Sequence, residues 1–162
     1  MIRHTTPEDL PEILEIYAYA REFMRRSGNP NQWGDDRPAV AAIERDIENR
    51  NSYLVTDETG EICGIFAFLM GDDPTYEIIE EGQWLNDAPY GVIHRIAGNG
   101  RRGGVLEEAL AYCEKHVRNL RIDTHEDNKV MQHLLGKNGF TKCGIIYTDN
   151  GTPRLAYQKE FA

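Results

Sequence analysis

The stretch of sequence best suited to chemistry is Gly100-Arg101-Arg102-Gly103-Gly104, which lies between an apolar run and a helical pattern. The first backbone N–H groups of a helix have no carbonyl partner within it, and the macrodipole adds positive charge at that end. Glycines let an anion approach this backbone, and arginines add bidentate donors for a phosphate. Such a segment can bind an anion, but its local spacing by itself favours the alternative, a glycine-rich turn with solvated arginines.

The same stretch argues against the common nucleotide-binding motifs. No GxGxxG or P-loop spacing can be written through it, which disfavours a nucleotide-binding enzyme that uses this helix start. Glu107 and Glu108 follow in the first turn, where they compensate the helix dipole and mildly oppose an anion. From these residues alone, a glycine-rich turn is therefore the favoured interpretation of the stretch.

Hydrophobic periodicity predicts the elements that position this loop, and together they form a mixed α/β sheet with helices on its faces. The predicted helices begin at Thr6 as N-cap, at Ala39, at Val105 and at Asp127 as N-cap, and the first buries Leu10, Ile13, Leu14, Tyr17 and Ala20. The predicted strands are Ile2–His4, Ser52–Asp57, Ile62–Met70, Tyr90–Ala97, Leu120–Thr124, Phe140–Thr148 and Arg154–Glu160. The acidic stretch 71–89 is interpreted as an insert or a loop at the mouth of a cavity.

Composition limits the class of protein. Residues 1–162 suit a single domain, and 18 basic against 27 acidic residues give a net charge of -9, which disfavours nucleic acid as a partner. The three cysteines have no metal or disulfide spacing, so we expect no metal site and a reducing, cytoplasmic location. The N-terminus lacks a signal-peptide pattern and no apolar run approaches about 18 residues, so no membrane partner is expected.

The C-terminal half contains two motifs in a fixed order. Ile96-Ala97 is followed by Arg101-Arg102-Gly103-Gly104-Val105-Leu106, and later Asn128 stands at a helix start with Gly139-Phe140 at its exit. Together with the closing hairpin, these motifs resemble those of the GCN5-related N-acetyltransferase (GNAT) superfamily. The first is similar to the family's Arg/Gln-x-x-Gly-x-Gly/Ala pattern, although Leu106 replaces a small residue and the loop is about two residues short. The resemblance implies a mostly antiparallel sheet of six to seven strands with about four helices.

The resemblance also implies acetyl-CoA as co-substrate and its binding residues. In this family the backbone amides of the loop hold the coenzyme pyrophosphate, and the asparagine contacts the pantetheine arm. The implied positions here are Ile96, Ala97, Gly98, Arg101, Arg102, Gly103, Gly104, Val105 and Asn128.

Transfer of an acetyl group to an amine needs a base that removes a proton. His94 precedes Ile96 by two residues, so both are expected to face one side of the strand, and some aralkylamine acetyltransferases carry a catalytic histidine at this position. A histidine hydrogen-bonded within the sheet is an equal alternative. Other candidates for the base are Glu80, Glu81, His125 and Glu126.

The general acid and the acceptor site are less defined. Leu135 stands where many family members carry the tyrosine that acts as general acid. Tyr147 and Tyr157 could replace that tyrosine only in a different geometry. The loop after the first helix is expected to line the acceptor site or, through Trp33, to cap the core; its polar and aromatic residues are Asn31, Gln32, Trp33, Asp35 and Asp36.

The predicted function is an acetyl-CoA-dependent N-acetyltransferase that acts on a small-molecule or peptide amine. The alternative is a non-catalytic module of the same fold that binds coenzyme A or a metabolite. Pairing of chains into a homodimer through the closing hairpin is left open.

Overall fold

The computed structural model describes all 162 residues as one seven-stranded sheet with two helices against each face. The strands are β1 (Ile2–His4), β2 (Ser52–Thr56), β3 (Ile62–Met70), β4 (Gly91–Gly98), β5 (Asn119–Thr124), β6 (Thr141–Tyr147) and β7 (Pro153–Glu160). The helices are α1 (Leu10–Arg26), α2 (Val40–Glu48), α3 (Val105–Cys113) and α4 (Lys129–Lys137). The predicted mixed sheet of six to seven strands with about four helices is confirmed.

The strand order is β1-β2-β3-β4-β5-β7-β6, and β4 and β5 form the one parallel pair. All other neighbours are antiparallel, from the β1–β2 pair to the closing β6–β7 hairpin. The β4–β5 pairing is also the shortest in the sheet, because only Gly91 with Leu120 and Val92 with Arg121 are in register. The two strands therefore separate after their first residues.

The sheet divides the apolar core into a larger and a smaller part. On one face, α3 and α4 pack against the central strands around Phe66, Leu110 and Leu135. On the other face, α1 and α2 pack against β2, β3 and the end of β4 around Ile13 and Ile43. Burial of this apolar surface on both faces explains why nearly every residue of β3 is buried.

Several predicted boundaries and contacts are wrong in detail. Pro7–Asp9 forms a 3-10 turn before α1, and Asn128 rather than Asp127 caps α4, because the Asn128 side chain accepts a hydrogen bond from Met131 N. On α1, Leu14 is exposed and Ile16 is buried in its place. Ile13, Tyr17 and Ala20 are buried as predicted, and at about 100° per residue Leu14 falls outside the face that they form with Ile16.

The acidic stretch 71–89 is held on the sheet by Arg121. The Arg121 guanidinium lies 4.1 Å from the centre of the Trp84 ring and 3.9 Å from that of Tyr90, and it donates to Asn86 O at 3.0 Å. Within the stretch, Pro74–Tyr76 forms a short 3-10 turn. The turn itself is held beside β4 because Asp73 N donates to the Tyr90 hydroxyl at 3.1 Å and the Tyr76 hydroxyl donates to Asp123 Oδ2 at 2.6 Å.

The structure contains neither a membrane-spanning helix nor a cluster of potential metal ligands. None of the four helices combines the length and apolar character needed to cross a bilayer. Nowhere in the 162 residues do three or more histidine, cysteine, aspartate or glutamate side chains converge as metal ligands would.

Candidate functional site

The separation of β4 from β5 opens a fork, and two cavities meet there. The first, the glycine-loop cavity, has a volume of about 480 Å³ and is bounded by residues 98–104, α1, α3 and α4. The second, the His94 cavity, has a volume of about 360 Å³ and lies between β4, β5 and the loop that joins α1 to α2. Both volumes fall in the range of small-molecule sites. The residues that line both cavities are Met24, Ile96, Asn128 and Met131.

The start of α3 forms one wall of the glycine-loop cavity. Gly104 is its N-cap with a φ of 86°, a left-handed conformation that side-chain-bearing residues rarely adopt. From Gly103 to Glu107, no backbone N–H donates to a protein acceptor, and the first helical bond runs from Glu108 N to Gly104 O at 3.0 Å. These donors and the helix dipole form a site for an anion.

The two arginines of the loop point in different directions. Arg102 lines the cavity, and its guanidinium pairs at 2.6 Å with Glu108, which lies outside the lining. Arg101 pairs instead with Glu61 and, at 3.7 Å, with Asp57, which belong to the turn between β2 and β3. Arg101 is thus held away from the cavity.

Most of the predicted coenzyme-binding residues share this cavity. Its lining includes Ile96, Ala97, Gly98, Arg102, Gly103, Gly104, Val105 and Asn128, with Arg101 as the exception. Binding of coenzyme A by these residues stays a prediction.

Apolar side chains of α1 and α4 form the other wall of the glycine-loop cavity. Tyr19, Phe23 and Val130 are each about two-fifths exposed although they are large and apolar. Sequence reasoning missed them, because it treated the apolar residues of α1 only as core. The signal was present in the excess of apolar residues outside the buried stripe.

A hydrogen-bonded pair of titratable side chains lies in the His94 cavity. His94 Nε2 lies 2.6 Å from Asp73 Oδ2, and Asp73 Oδ1 accepts from Thr75 N at 2.9 Å and from Thr75 Oγ1 at 2.6 Å. Burial by itself would raise the pKa of Asp73, but the hydrogen bonds from His94 and Thr75 outweigh it and lower that pKa from 3.8 to about 2. Asp73 is therefore ionised, and sequence reasoning missed it because it lies in the stretch with no predicted element.

The ionised carboxylate fixes the tautomer of His94. A carboxylate can only accept a hydrogen bond, so His94 Nε2 carries the proton when the ring is neutral. His94 Nδ1 then holds the lone pair, and no protein group bonds to it. The ring is oriented to take up a proton at Nδ1.

A bulge at Arg95 alters the direction of the strand. Ala67 pairs with His94 and Ile65 with Ala97, so two residues of β4, Arg95 and Ile96, oppose the single residue between them in β3. Since Ile65 and Ala67 face one side of the sheet, His94 and Ala97 face that side and Ile96 faces the other. The expectation that His94 and Ile96 share a side is wrong, because the bulge inserts an extra residue.

The bulge is held by side chains from both helices of its face. Arg95 has a φ of 52°, and its guanidinium forms a bidentate pair with buried Asp46 of α2 at 2.7 and 2.8 Å. The Tyr17 hydroxyl of α1 donates to Arg95 O at 2.7 Å. These contacts stabilise a strained backbone next to His94.

Gln32 ties the loop after α1 to the far side of the fork. Its Oε1 atom accepts from Asn128 Nδ2 at 2.9 Å, from Thr124 Oγ1 at 3.3 Å and from Asn29 Nδ2 at 3.0 Å. Trp33 packs its edge on Tyr17 with 5.5 Å between ring centres, and it both lines the cavity and borders the core. The other loop residues predicted to form the acceptor wall, Asn31, Asp35 and Asp36, do not line it.

The remaining candidates for acid and base lie elsewhere. Neither cavity is lined by Glu80, Glu81, His125 or Glu126. Leu135 is completely buried in the larger core, and Tyr147 and Tyr157 lie outside both cavities. Consequently no tyrosine lines the His94 cavity.

Comparison with known proteins identifies the family. The model of the acetyltransferase (GNAT) domain matches residues 1–141. The chain belongs to the GNAT family. A GNAT-family acetyltransferase from Streptococcus agalactiae 2603 is 33% identical, with a TM-score of 0.89 over 100% of this chain and 95% of that chain.

More distant GNAT structures share the fold. A putative acetyltransferase from Staphylococcus aureus Mu50 is 25% identical, with a TM-score of 0.71 over 99% of this chain and 98% of that chain. A ribosomal-protein-alanine N-acetyltransferase from Brucella melitensis is 23% identical, with a TM-score of 0.65 over 99% of both chains. No curated protein matches this chain.

Proposed function

We propose that this protein is an acetyl-CoA-dependent N-acetyltransferase that moves an acetyl group to a primary amine of a small molecule or a peptide. The observation that carries the proposal is the meeting of two cavities at the β4–β5 fork, with anion-binding N–H groups in one and the His94–Asp73 pair in the other. Such an arrangement brings a phosphate-bearing acyl donor and an amine together from opposite sides. Membership of the GNAT family supports the same reaction.

The glycine-loop cavity is suited to coenzyme A. The N–H groups from Gly103 to Glu107 that have no protein acceptor would bind the pyrophosphate, with Arg102 as an adjacent cation. Arg101 joins them only if its side chain leaves Glu61. The pantetheine arm would run beside Ile96–Gly98 to the fork, and the unpaired edge of β4 offers N–H donors for the thioester oxygen.

In the proposed reaction, His94 acts as the general base. His94 Nδ1 takes a proton from the attacking amine, and Asp73 stabilises the resulting imidazolium through Nε2. The amine nitrogen forms a bond to the carbonyl carbon, and the carbon–sulfur bond breaks. Coenzyme A leaves as a thiolate, which takes up a proton from solvent or from the imidazolium, since no tyrosine lines this cavity.

The second candidate function is a non-catalytic module that binds coenzyme A or a metabolite. Two observations favour it: Leu135 is buried where many family members carry a tyrosine, and Leu106 stands in the first turn of α3 where the family has a small residue. The His94–Asp73 pair argues against it, because a hydrogen-bonded carboxylate–histidine pair facing a cavity is an arrangement for proton transfer.

Two measurements on the purified protein separate these functions. Calorimetry with acetyl-CoA is expected to show micromolar binding, and an amine panel with a thiol-detecting reagent is expected to show turnover. Binding without thiol release from any amine would favour the non-catalytic module. Absence of acetyl-CoA binding at high micromolar protein would contradict both functions.

Two further predictions concern location and assembly. Cys63, Cys113 and Cys143 are all buried, unpaired thiols, and burial raises the pKa of Cys113 to about 12, which suits the reducing cytoplasm. β6 is an edge strand of the sheet, so its unpaired backbone groups are available to a second copy of the chain, which would form a homodimer through the closing hairpin.

A further inference from the structure

Arg154 is a buried cation that has no carboxylate partner. It is 8% exposed, and its guanidinium donates only to two backbone carbonyls, Pro153 O at 2.9 Å and Gln32 O at 3.0 Å. No aspartate or glutamate forms an ion pair with it, although a buried charge in proteins is normally paired. Arginine has five N–H donors, so several remain for another partner.

The sheet register places Arg154 on the same face as His94. Val92 is in register with Arg121, Asp123 with Ala156, and Ile146 with Arg154. Because alternate residues of a strand share a face, His94, Asp123 and Arg154 all face the same side of the sheet. Arg154 and His94 both line the His94 cavity.

The acidic side chains of this cavity either form hydrogen bonds with other groups or lie at its rim. Asp73 is bonded to His94 and Thr75, and Asp123 Oδ2 accepts from the Tyr76 hydroxyl at 2.6 Å. Asp149 is exposed and forms no ion pair. None of them forms an ion pair with Arg154, although the charge of Asp123 is close enough to act on it.

A second arginine increases the positive charge at this end of the cavity. Arg37 also lines it, and the guanidinium of Arg37 forms no ion pair. Burial lowers the pKa of Arg154, the nearby charge of Asp123 opposes this change in part, and the charge of Arg37 adds a smaller lowering. Both guanidinium groups would gain from an anion between them.

We propose that the acceptor is an amino acid or a similar small amine that carries a carboxylate, and that Arg154 binds this carboxylate while the amine lies at His94. This inference rests on the proposed function, whose acceptor it specifies. A guanidinium held by two backbone carbonyls presents its remaining N–H donors in a fixed orientation, which suits bidentate binding of a carboxylate. The cavity volume of about 360 Å³ suits a ligand of this size.

The test compares matched acceptors within each variant. Amino acids with the reacting amine at the α or a distal position are compared with their amides and with their decarboxylated amines. The wild-type protein is expected to favour the carboxylates by roughly 10- to 100-fold in kcat/KM, because amides leave the buried guanidinium unpaired. In Arg154→Gln this preference is expected to fall below about 3-fold, and Arg154→Lys is expected to restore part of it.

The ratio between acceptors does not depend on how much of a variant is folded, and acetyl-CoA affinity checks folding independently. Arg118→Gln, a matched change at an exposed arginine outside both cavities, is expected to keep the full preference. Equal or better rates with amides and decarboxylated amines in the wild type would overturn the inference. An unchanged preference in Arg154→Gln would overturn it as well.

A binding experiment distinguishes failure of this inference from failure of the proposed function. If no amine is acetylated, the proposed function fails, and calorimetry with amino acids and their amides on the coenzyme-A-loaded protein decides the inference alone. Binding of the amino acids that is at least 10-fold tighter than that of the amides, and that Arg154→Gln abolishes, supports the carboxylate site. Equal binding, or none, overturns it.

Discussion

The two cavities that meet at the β4–β5 fork offer a ligand different kinds of polar group. The glycine-loop cavity offers backbone N–H groups of one short segment, residues 103–107, and exposed apolar side chains. The His94 cavity offers charged side chains from segments far apart in sequence, such as Asp73 and Arg154. Backbone contacts suit a ligand that every member of a family shares, whereas side-chain contacts can differ between members and set the acceptor.

The largest effect is expected where the backbone contacts are blocked. Gly104→Glu adds a carboxylate at the start of α3 at a φ of 86°, so both charge and strain oppose an anion there. Acetyl-CoA affinity, measured by calorimetry, is expected to fall by roughly 1,000-fold. The control is Gly151→Glu, at a φ of 83° in the closing hairpin, which introduces similar strain at a residue that lines neither cavity. Retained affinity in Gly104→Glu would place the pyrophosphate elsewhere.

The next largest effect is expected in the His94 cavity, and it should appear in kcat rather than in acetyl-CoA affinity. His94→Gln removes the proposed base, so kcat is expected to fall by about 100-fold or more with acetyl-CoA affinity unchanged. The measurement is steady-state thiol release together with calorimetry. His133→Gln, an exposed histidine of α4, is the matched control. An unchanged kcat in His94→Gln would remove this residue from the mechanism.

A smaller effect is expected from Asp73, and it should depend on pH. In the folded protein the pKa of Asp73 is about 2, below its ordinary value of 3.8. The depressed pKa contributes stability above about pH 4, and this contribution is lost as the pH falls toward 2. Urea unfolding of wild type and Asp73→Asn should therefore differ by about 2 kcal/mol at neutral pH and converge in acid. A difference that stays constant from pH 7 to pH 2 would contradict the ionised pair.

The smallest effect is expected at the connection between the two cavities. Gln32→Ala removes the acceptor for Asn128 and Thr124 but leaves α4 capped by Asn128. We expect KM for both substrates to rise by about 5-fold, the equivalent of one neutral hydrogen bond. Gln83→Ala, at an exposed glutamine that lines neither cavity, serves as control. A change in KM for one substrate alone would show that Gln32 does not couple the two sides.

The same contrast explains which features could be predicted from the sequence. The elements around the glycine loop follow from local patterns: alternating and apolar runs for β3 and β4, and glycines before an amphipathic helix for α3. The loop's polar groups belong to its own backbone, so the segment could be located from the sequence, but its spacing alone favoured a plain turn, and only the resemblance to the family predicted an anion site there. The apolar wall from Tyr19 and Phe23 required knowledge of how α1 lies against α3 and α4.

The His94 cavity could not be predicted to the same depth because its geometry depends on non-local contacts. The bulge at Arg95 has no signal in an apolar strand, and it is stabilised by Asp46 and Tyr17, which are 49 and 78 residues away. Asp73 lies 21 residues before His94 in an irregular stretch, and it reaches the ring because the Tyr90 hydroxyl and Asp123 hold its turn beside β4. A histidine was recognised as a candidate base, but its partner and the direction of its ring come from tertiary structure.

The central claim is that the acyl donor reaches the acceptor through the fork, and a crystal structure with coenzyme A and an N-acetylated product tests it most directly. The account predicts a pyrophosphate on the N–H groups at the start of α3 and a sulfur atom between β4 and β5 beside Ile96. It also predicts the acetylated nitrogen within hydrogen-bonding distance of His94 Nδ1. A pantetheine arm outside the fork, or a product nitrogen remote from His94, would contradict the account.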